Sequence, residues 1–281
     1  MTVETLIGAR VVFEPPRFRI EDPLVDRAVP GDGHVVAEPR RAILTIPGVA
    51  TIGVSGGSHV YVQPERNADE GMLDAWLHGT VAALLLAQRG RFALHASVVE
   101  IDGRAVAVAG SPSSGKSTSA LLLRQRGHRL VADDVSPVEA ADSIQVRPYS
   151  RPIHVSEQAA EKLGLELSQA WRPFPTHPKL ALPTPPPESV ALTAVAILDS
   201  TDDGCINVGR LNGAEAFWTV VENVYRVELV HRLRAKELFE LAGRIAATLP
   251  LYAIRRPSTS WTADAVADTI ERIAGGGTHG R

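Results

Sequence analysis

The 281-residue chain is 44% hydrophobic and carries 29 basic against 32 acidic residues, a formal charge of -3. It is long enough to bury a full core, and its near-balanced charge excludes the basic signature of a nucleic-acid binder or of a protein held on an acidic membrane. A single cysteine, Cys205, excludes an intramolecular disulfide and a thiolate metal cluster, which fits a reducing cytoplasm.

In chain order, the opening MTVETLIGAR places Glu4 where a signal peptide needs positive charge, so no secretion signal is expected. From Leu6 to about Gln63, short β-branched segments (VVF, HVVAE, AILTI, TIGVS, HVYVQ) alternate with Pro, Gly and Asp, the pattern of an antiparallel sheet. Residues 1–68 are therefore expected to form a β-rich module and 69–281 an α/β domain. The apolar window Leu73 to Gln88 is interrupted by Asp74 and His78. It is shorter than the roughly 20 residues a bilayer requires and reads as a buried helix. FALHASVVEIDGRAVAVAG predicts two strands joined at Asp102-Gly103, a strong hairpin signal.

Ser117 to Arg126 follows as a helix stopped by Gly127. Leu130 to Ala132 reads as a short apolar strand, SIQVRPY as another, and SEQAAEKLGL as a short helix capped by Ser156. The prolines of 171–188 forbid a helix interior and a central strand, so an extended surface loop or lid is expected there. LTAVAILD, CINVGR and LYAIRRP then predict strands, Ala214 to Leu249 one or two helices, and TADAVADTIERIAGG a closing helix.

Gly110 to Ser117 fits G-x-x-x-x-G-K-[ST], with an apolar strand before it and an amphipathic helix after it. Gly110, Ser111, Pro112, Ser113, Ser114, Gly115 and Thr118 make up such a loop with Lys116 and Ser117, and its glycines let backbone N–H groups turn toward phosphate oxygens at the positive end of a helix. Lys116 can then reach the β- and γ-phosphates, and Ser117 can offer its hydroxyl to a metal ion. Asp133 and Asp134 end the next strand, at the edge where an open α/β sheet binds ligands. Neighbouring strand residues face opposite ways. One carboxylate can hold Mg²⁺ and the other can accept a proton from an attacking hydroxyl. His95 lies on the hairpin strand whose partner delivers the loop, close enough to serve as a proton shuttle or transition-state donor. His128, after the Gly127 stop, has a sufficient reason to be there as a cation at a helix C-terminus.

LHAS, IDGRAVAVAGSPSSGKST and RGHRLVADDV together resemble the catalytic domain of the HPr kinase/phosphorylase family. The likeness is greatest to the shorter HPr-kinase-like proteins associated with ribosomally made peptides, including lasso-peptide kinases. It is sharp from about Leu84 to Val135 and diffuse through RPIHVSEQAAEKLGL, LTAVAILD and ELFELAGRIAATLPLYAIRRP. The resemblance implies an α/β P-loop kinase core akin to phosphoenolpyruvate carboxykinase and transfer of the γ-phosphoryl of ATP to a serine hydroxyl with Mg²⁺. By position it makes Lys116 and Ser117 the phosphate- and metal-binding pair, Asp133 the metal-side aspartate, Asp134 the catalytic base and His95 the active-site histidine. A LEIRGLG-type signature is missing after the aspartates, where this chain has SRPIHVSEQ, so phosphorylase activity and HPr as acceptor do not carry over. The expected partners are a peptide or small protein bearing a serine and further copies of the chain, in the cytoplasm, with no nucleic acid and no membrane. A kinase for a small molecule such as free serine, and a nucleotide-binding regulator without turnover, are the alternatives. Arg151 and Lys179 are basic side chains within reach of phosphate or substrate on this reading, and equally are solvated surface charges.

Overall fold

The computed structural model describes residues 5–149, 151–184 and 188–276. It divides into two compact units, one of Met1–Phe92, Pro173–His177 and Arg226–Phe239, the other of Ala93–Arg172, Pro178–Tyr225 and Glu240–Arg281.

The first unit holds a seven-stranded sheet of β1 (Thr5–Leu6), β2 (Ala9–Val12), β3 (Val25–Val29), β4 (Gly33–Glu38), β5 (Arg41–Ile46), β6 (Ala50–Ser55) and β7 (His59–Pro64), in the order β1-β2-β7-β6-β5-β4-β3. Alternating burial along β4, β5 and β7 gives the sheet one apolar face. Asp69 caps the helical stretch that follows, its carboxylate accepting from Met72 N at 2.9 Å. That stretch runs as α1 (Glu70–Trp76), a π-turn (Leu77–Val81) and α2 (Ala82–Gln88), with residues 81–87 all buried. No helix among the described residues is long and apolar enough to cross a membrane.

The second sheet draws on β8 (Phe92–Leu94), β9 (Ala96–Ile101), β10 (Arg104–Gly110), β11 (Arg129–Ala132), β12 (Ser136–Ala140), β13 (Ile144–Val146), β16 (Val190–Thr201), β17 (Asn207–Leu211) and β18 (Leu251–Pro257). The small β14 (Ile153–Val155) and β15 (Leu180–Leu182) form an antiparallel pair of their own. The described residues form five further helices: α3 (Lys116–Gln125), α4 (Glu157–Lys162), α5 (Gly213–Glu222), α6 (Val227–Thr248) and α7 (Ala263–Ala274).

β10 is parallel to β16, and β16 to β18, while β9 runs antiparallel to both β10 and β11. The carboxyl ends of β10, β11, β16 and β18 and the start of β9 therefore meet at one sheet edge, the place where open α/β sheets bind ligands. β10 is buried on both faces from Ala105 to Gly110, as a central strand should be. On one face Val106, Val108, Leu121, Leu123, Ile254 and Ile270 share a core built with α3 and α7. α7 reaches it with an apolar stripe of Val266, Ala267, Ile270, Ile273 and Ala274 at helical spacing.

One expectation needs correction. The proline segment is not wholly a surface loop, because β15 lies within it, with Ala181 and Leu182 buried. A strand is tolerated here because it sits between the prolines, in a sheet of only two strands. Residues 185–187 of that segment lie outside the described residues.

Candidate active site

The hairpin that carries the site turns on Asp102 and Gly103, whose φ values of 49° and 77° are those of a two-residue turn matched to the twist of its strands. Its second strand runs into the loop at Gly110, where φ is 133° and an added Cβ would stand 2.2 Å from the carbonyl oxygen of Leu198. Only glycine fits. Gly110 N donates to Asn223 Oδ1 at 2.9 Å, which ties the start of the loop to the C-terminus of α5. Ser114 N donates to Ser111 O at 3.2 Å, and Gly115 takes a φ of 109° immediately before α3. Arg256 Nε, from the end of β18, donates to Ser114 O at 2.9 Å. Ser113, Gly115 and Thr118 border a cavity on one side of the loop, whereas Gly110, Ser111 and Pro112 border another.

Lys116 is buried, its ammonium donating to Gly110 O at 2.8 Å and Ser111 O at 3.1 Å. Burial lowers its proton affinity, opposed by the charges of Asp134 and Asp133, while the neighbouring charge of Lys179 lowers it further. The two aspartates lie in different surroundings. Asp133 is 3% exposed and accepts from Ser97 Oγ at 2.5 Å, Ser117 Oγ at 3.0 Å and His154 N at 3.4 Å. Its burial pushes the carboxyl above the usual range; the Ser97 hydrogen bond opposes the shift and the Asp134 charge adds to it.

Asp134 adopts a left-handed φ of 65°, which swings its carboxylate out of strand alternation. Oδ1 lies 3.3 Å from His95 Nε2 and Oδ2 lies 3.3 Å from Arg151 Nη1. His95 itself falls in the break between β8 and β9, held by its N–H to Asn223 O at 2.8 Å and edge-on to the Tyr225 ring. His128, by contrast, pairs with Glu271 on α7 at 2.9 Å, which accounts for it structurally.

Ser117 and Asp133 thus meet as a hydroxyl and a carboxylate, an oxygen donor pair of the kind that holds Mg²⁺ when substrate phosphates and waters complete the shell. The fit is chemical as well as geometric, since a cation would offset the cost of burying the Asp133 charge. Among the described residues no group of three or more His, Cys, Asp or Glu gathers as an all-protein metal cage. Beside Gly110–Pro112 opens a cavity of about 420 Å³ bordered by His95, Asn223, Asp199, Glu222 and Arg255.

Sequence reasoning passes over Ser97, Asn223 and Arg256. A signal existed for Ser97 alone: it belongs to the same LHAS stretch as His95. Asn223 and Arg256 reach the loop across 113 and 142 residues of chain, and nothing local marks them.

Residues 86–157 match a family model described as HPr Serine kinase C-terminal domain. The HPr kinase/phosphorylase of Enterococcus faecalis is 37% identical over 104 residues, covering 37% of this chain and 30% of that protein. That of Clostridium acetobutylicum is 42% identical over 58 residues, covering 20% and 19%. Each alignment spans less than a third of the curated relative's length. A solved structure, the Hpr(Ser) kinase/phosphatase from Coxiella burnetii, aligns at 13% identity with a TM-score of 0.33, covering 66% of this chain and 94% of that one, too distant a likeness to bear on the fold.

Proposed function

We propose that this chain, HPr-kinase-like across the segment that carries its phosphate loop, is a kinase that transfers the γ-phosphoryl of ATP to a serine-type hydroxyl on a peptide or small protein. The observation that carries the reading is the division of labour between two adjacent carboxylates. Asp133 is buried against Ser117, and Asp134 is half-exposed between His95 and Arg151. Paired carboxylates in unlike environments are how one site supplies both a fixed negative charge and a base.

Asp134 takes the proton of the acceptor hydroxyl as it attacks. His95 and Arg151 hold that carboxylate by its two oxygens and keep it aimed. Lys116 exchanges its loop carbonyls for phosphate oxygens and, with the backbone N–H groups of 113–118, stabilises the charge on the transferring group. Ser117 and Asp133 would hold Mg²⁺, which when bound would offset the negative charge of the phosphates. The cavity beside Gly110–Pro112 opens onto His95 and suits the acceptor.

The test is Asp134→Asn. It should keep Mg²⁺-dependent ADP affinity within about twofold and lose transfer by 10²-fold or more, the scale of general-base catalysis. Equal loss of binding and transfer would remove Asp134 from the role of base.

A further inference from the structure

A second cavity, of about 210 Å³, opens on the other side of the phosphate loop, bordered by Gly115, Thr118, Arg256, Lys162 and Trp261. We infer that this is the nucleoside pocket, and that the base is held chiefly by packing against the indole of Trp261. The inference rests on the kinase reading, since it needs a nucleotide in the loop.

Three observations lead to it. First, the pocket begins where the loop ends: Gly115 and Thr118 flank Lys116 and Ser117, so a chain of phosphates cradled there has a continuous path into it. Second, Trp261 borders this cavity with its indole 42% exposed, so a flat ring can reach it. Lys162 Nζ stands 4.9 Å from its ring centroid, within cation–π range, which fixes the indole and sets a positive charge beside it. Third, Arg256 joins loop to pocket. Its Nε holds Ser114 O at 2.9 Å, and its guanidinium lies 3.7 Å from where a Cβ on Gly115 would stand.

The remaining wall is short and polar, from Ser156, Gln158, Ser260 and Thr262, with apolar Ala159, Ala263 and Val266 behind. Ser156 Oγ already accepts from Ala159 N as the cap of α4. An indole recognises a flat ring without reading its edge, so the pocket takes nucleotides with weak discrimination between bases, adenine and guanine included.

The experiment compares ADP with inorganic tripolyphosphate, which fills the loop but has no base, on the full chain with Mg²⁺. Trp261→Ala should weaken ADP by about 5- to 150-fold, the scale of losing one base–aromatic stack, and leave tripolyphosphate within about twofold. Trp261→Phe should recover most of the ADP affinity, and 8-azido-ADP should photolabel the wild-type chain within residues 256–263. Unchanged ADP affinity in Trp261→Ala, equal losses for both ligands, or label confined elsewhere would each overturn the assignment. Wild-type protein that binds neither ADP nor tripolyphosphate would instead overturn the kinase reading beneath it.

Discussion

Gly110→Ala tests whether the loop's geometry is set by the strand beside it. The new Cβ would stand 2.2 Å from Leu198 O, whereas carbon and oxygen ordinarily approach no closer than about 3.3 Å. The backbone must retreat by about 1 Å, away from the strand pairing that joins Gly110 to Leu198. A left-handed φ on a non-glycine residue costs about 1–3 kcal/mol and overpacking about 1–3 kcal/mol more, so a loss of about 3 kcal/mol is expected. That corresponds to a fall of about 6–12 °C in the thermal midpoint. A displacement of about 1 Å at a site needing donors at 2.7–3.1 Å should also weaken ADP on the order of 100-fold. Gly127→Ala is the control, because its φ is +97° but nothing lies within 4 Å of its Cβ. It should lose only the backbone cost and bind ADP normally. Thermal scans and ADP titrations of both variants decide the matter. Gly110→Ala behaving like Gly127→Ala would refute the argument that Leu198 shapes the loop.

Asp133→Asn should raise the thermal midpoint of the ligand-free protein at neutral pH while abolishing the Mg²⁺ dependence of ADP binding. Burial raises the folded-state pKa of Asp133, so the wild type carries its penalty above that value and sheds it as pH falls through the usual carboxylate range. The advantage of the variant should vanish below about pH 4, and a gain that persists there would contradict the assignment. Asn223→Ala strips Gly110 N of its acceptor and should cost about 1–3 kcal/mol in urea denaturation. An unchanged midpoint would mean that Asn223 does not anchor the loop.

Local chemistry made much of the fold legible. Asp102-Gly103 specifies its turn through two residues that tolerate positive φ, and Ser156 caps α4 through Ala159 N at 3.2 Å. Gly127 ends α3 with a left-handed residue, His128 N reaching back to Leu123 O at 3.1 Å. Less legible were features set by distant partners. The stretch from Ala214 onward breaks at Arg226, with φ of 56°, and kinks at Arg234, whose guanidinium binds Ala87 O and Pro39 O far along the chain. No periodicity encodes that. At the site, the motif residues could be singled out because phosphate binding forces their spacing. Ser97, Asn223 and Arg256 hold the motif from other elements, and only the folded sheet edge brings them together.

Acceptor-blind label tracing tests the central claim most directly. The full chain, or its Asp134→Asn variant, is incubated with Mg²⁺ and ATP labelled with ¹⁸O in the γ-phosphoryl, in dephosphorylated, heat-treated extract of its own host. Mass spectrometry then follows the label. Phosphoserine on a peptide or small protein, formed by the wild type and lost with Asp134→Asn, is the result predicted. Label recovered only as inorganic phosphate, or equally with both proteins, would contradict phosphoryl transfer to a hydroxyl by this site.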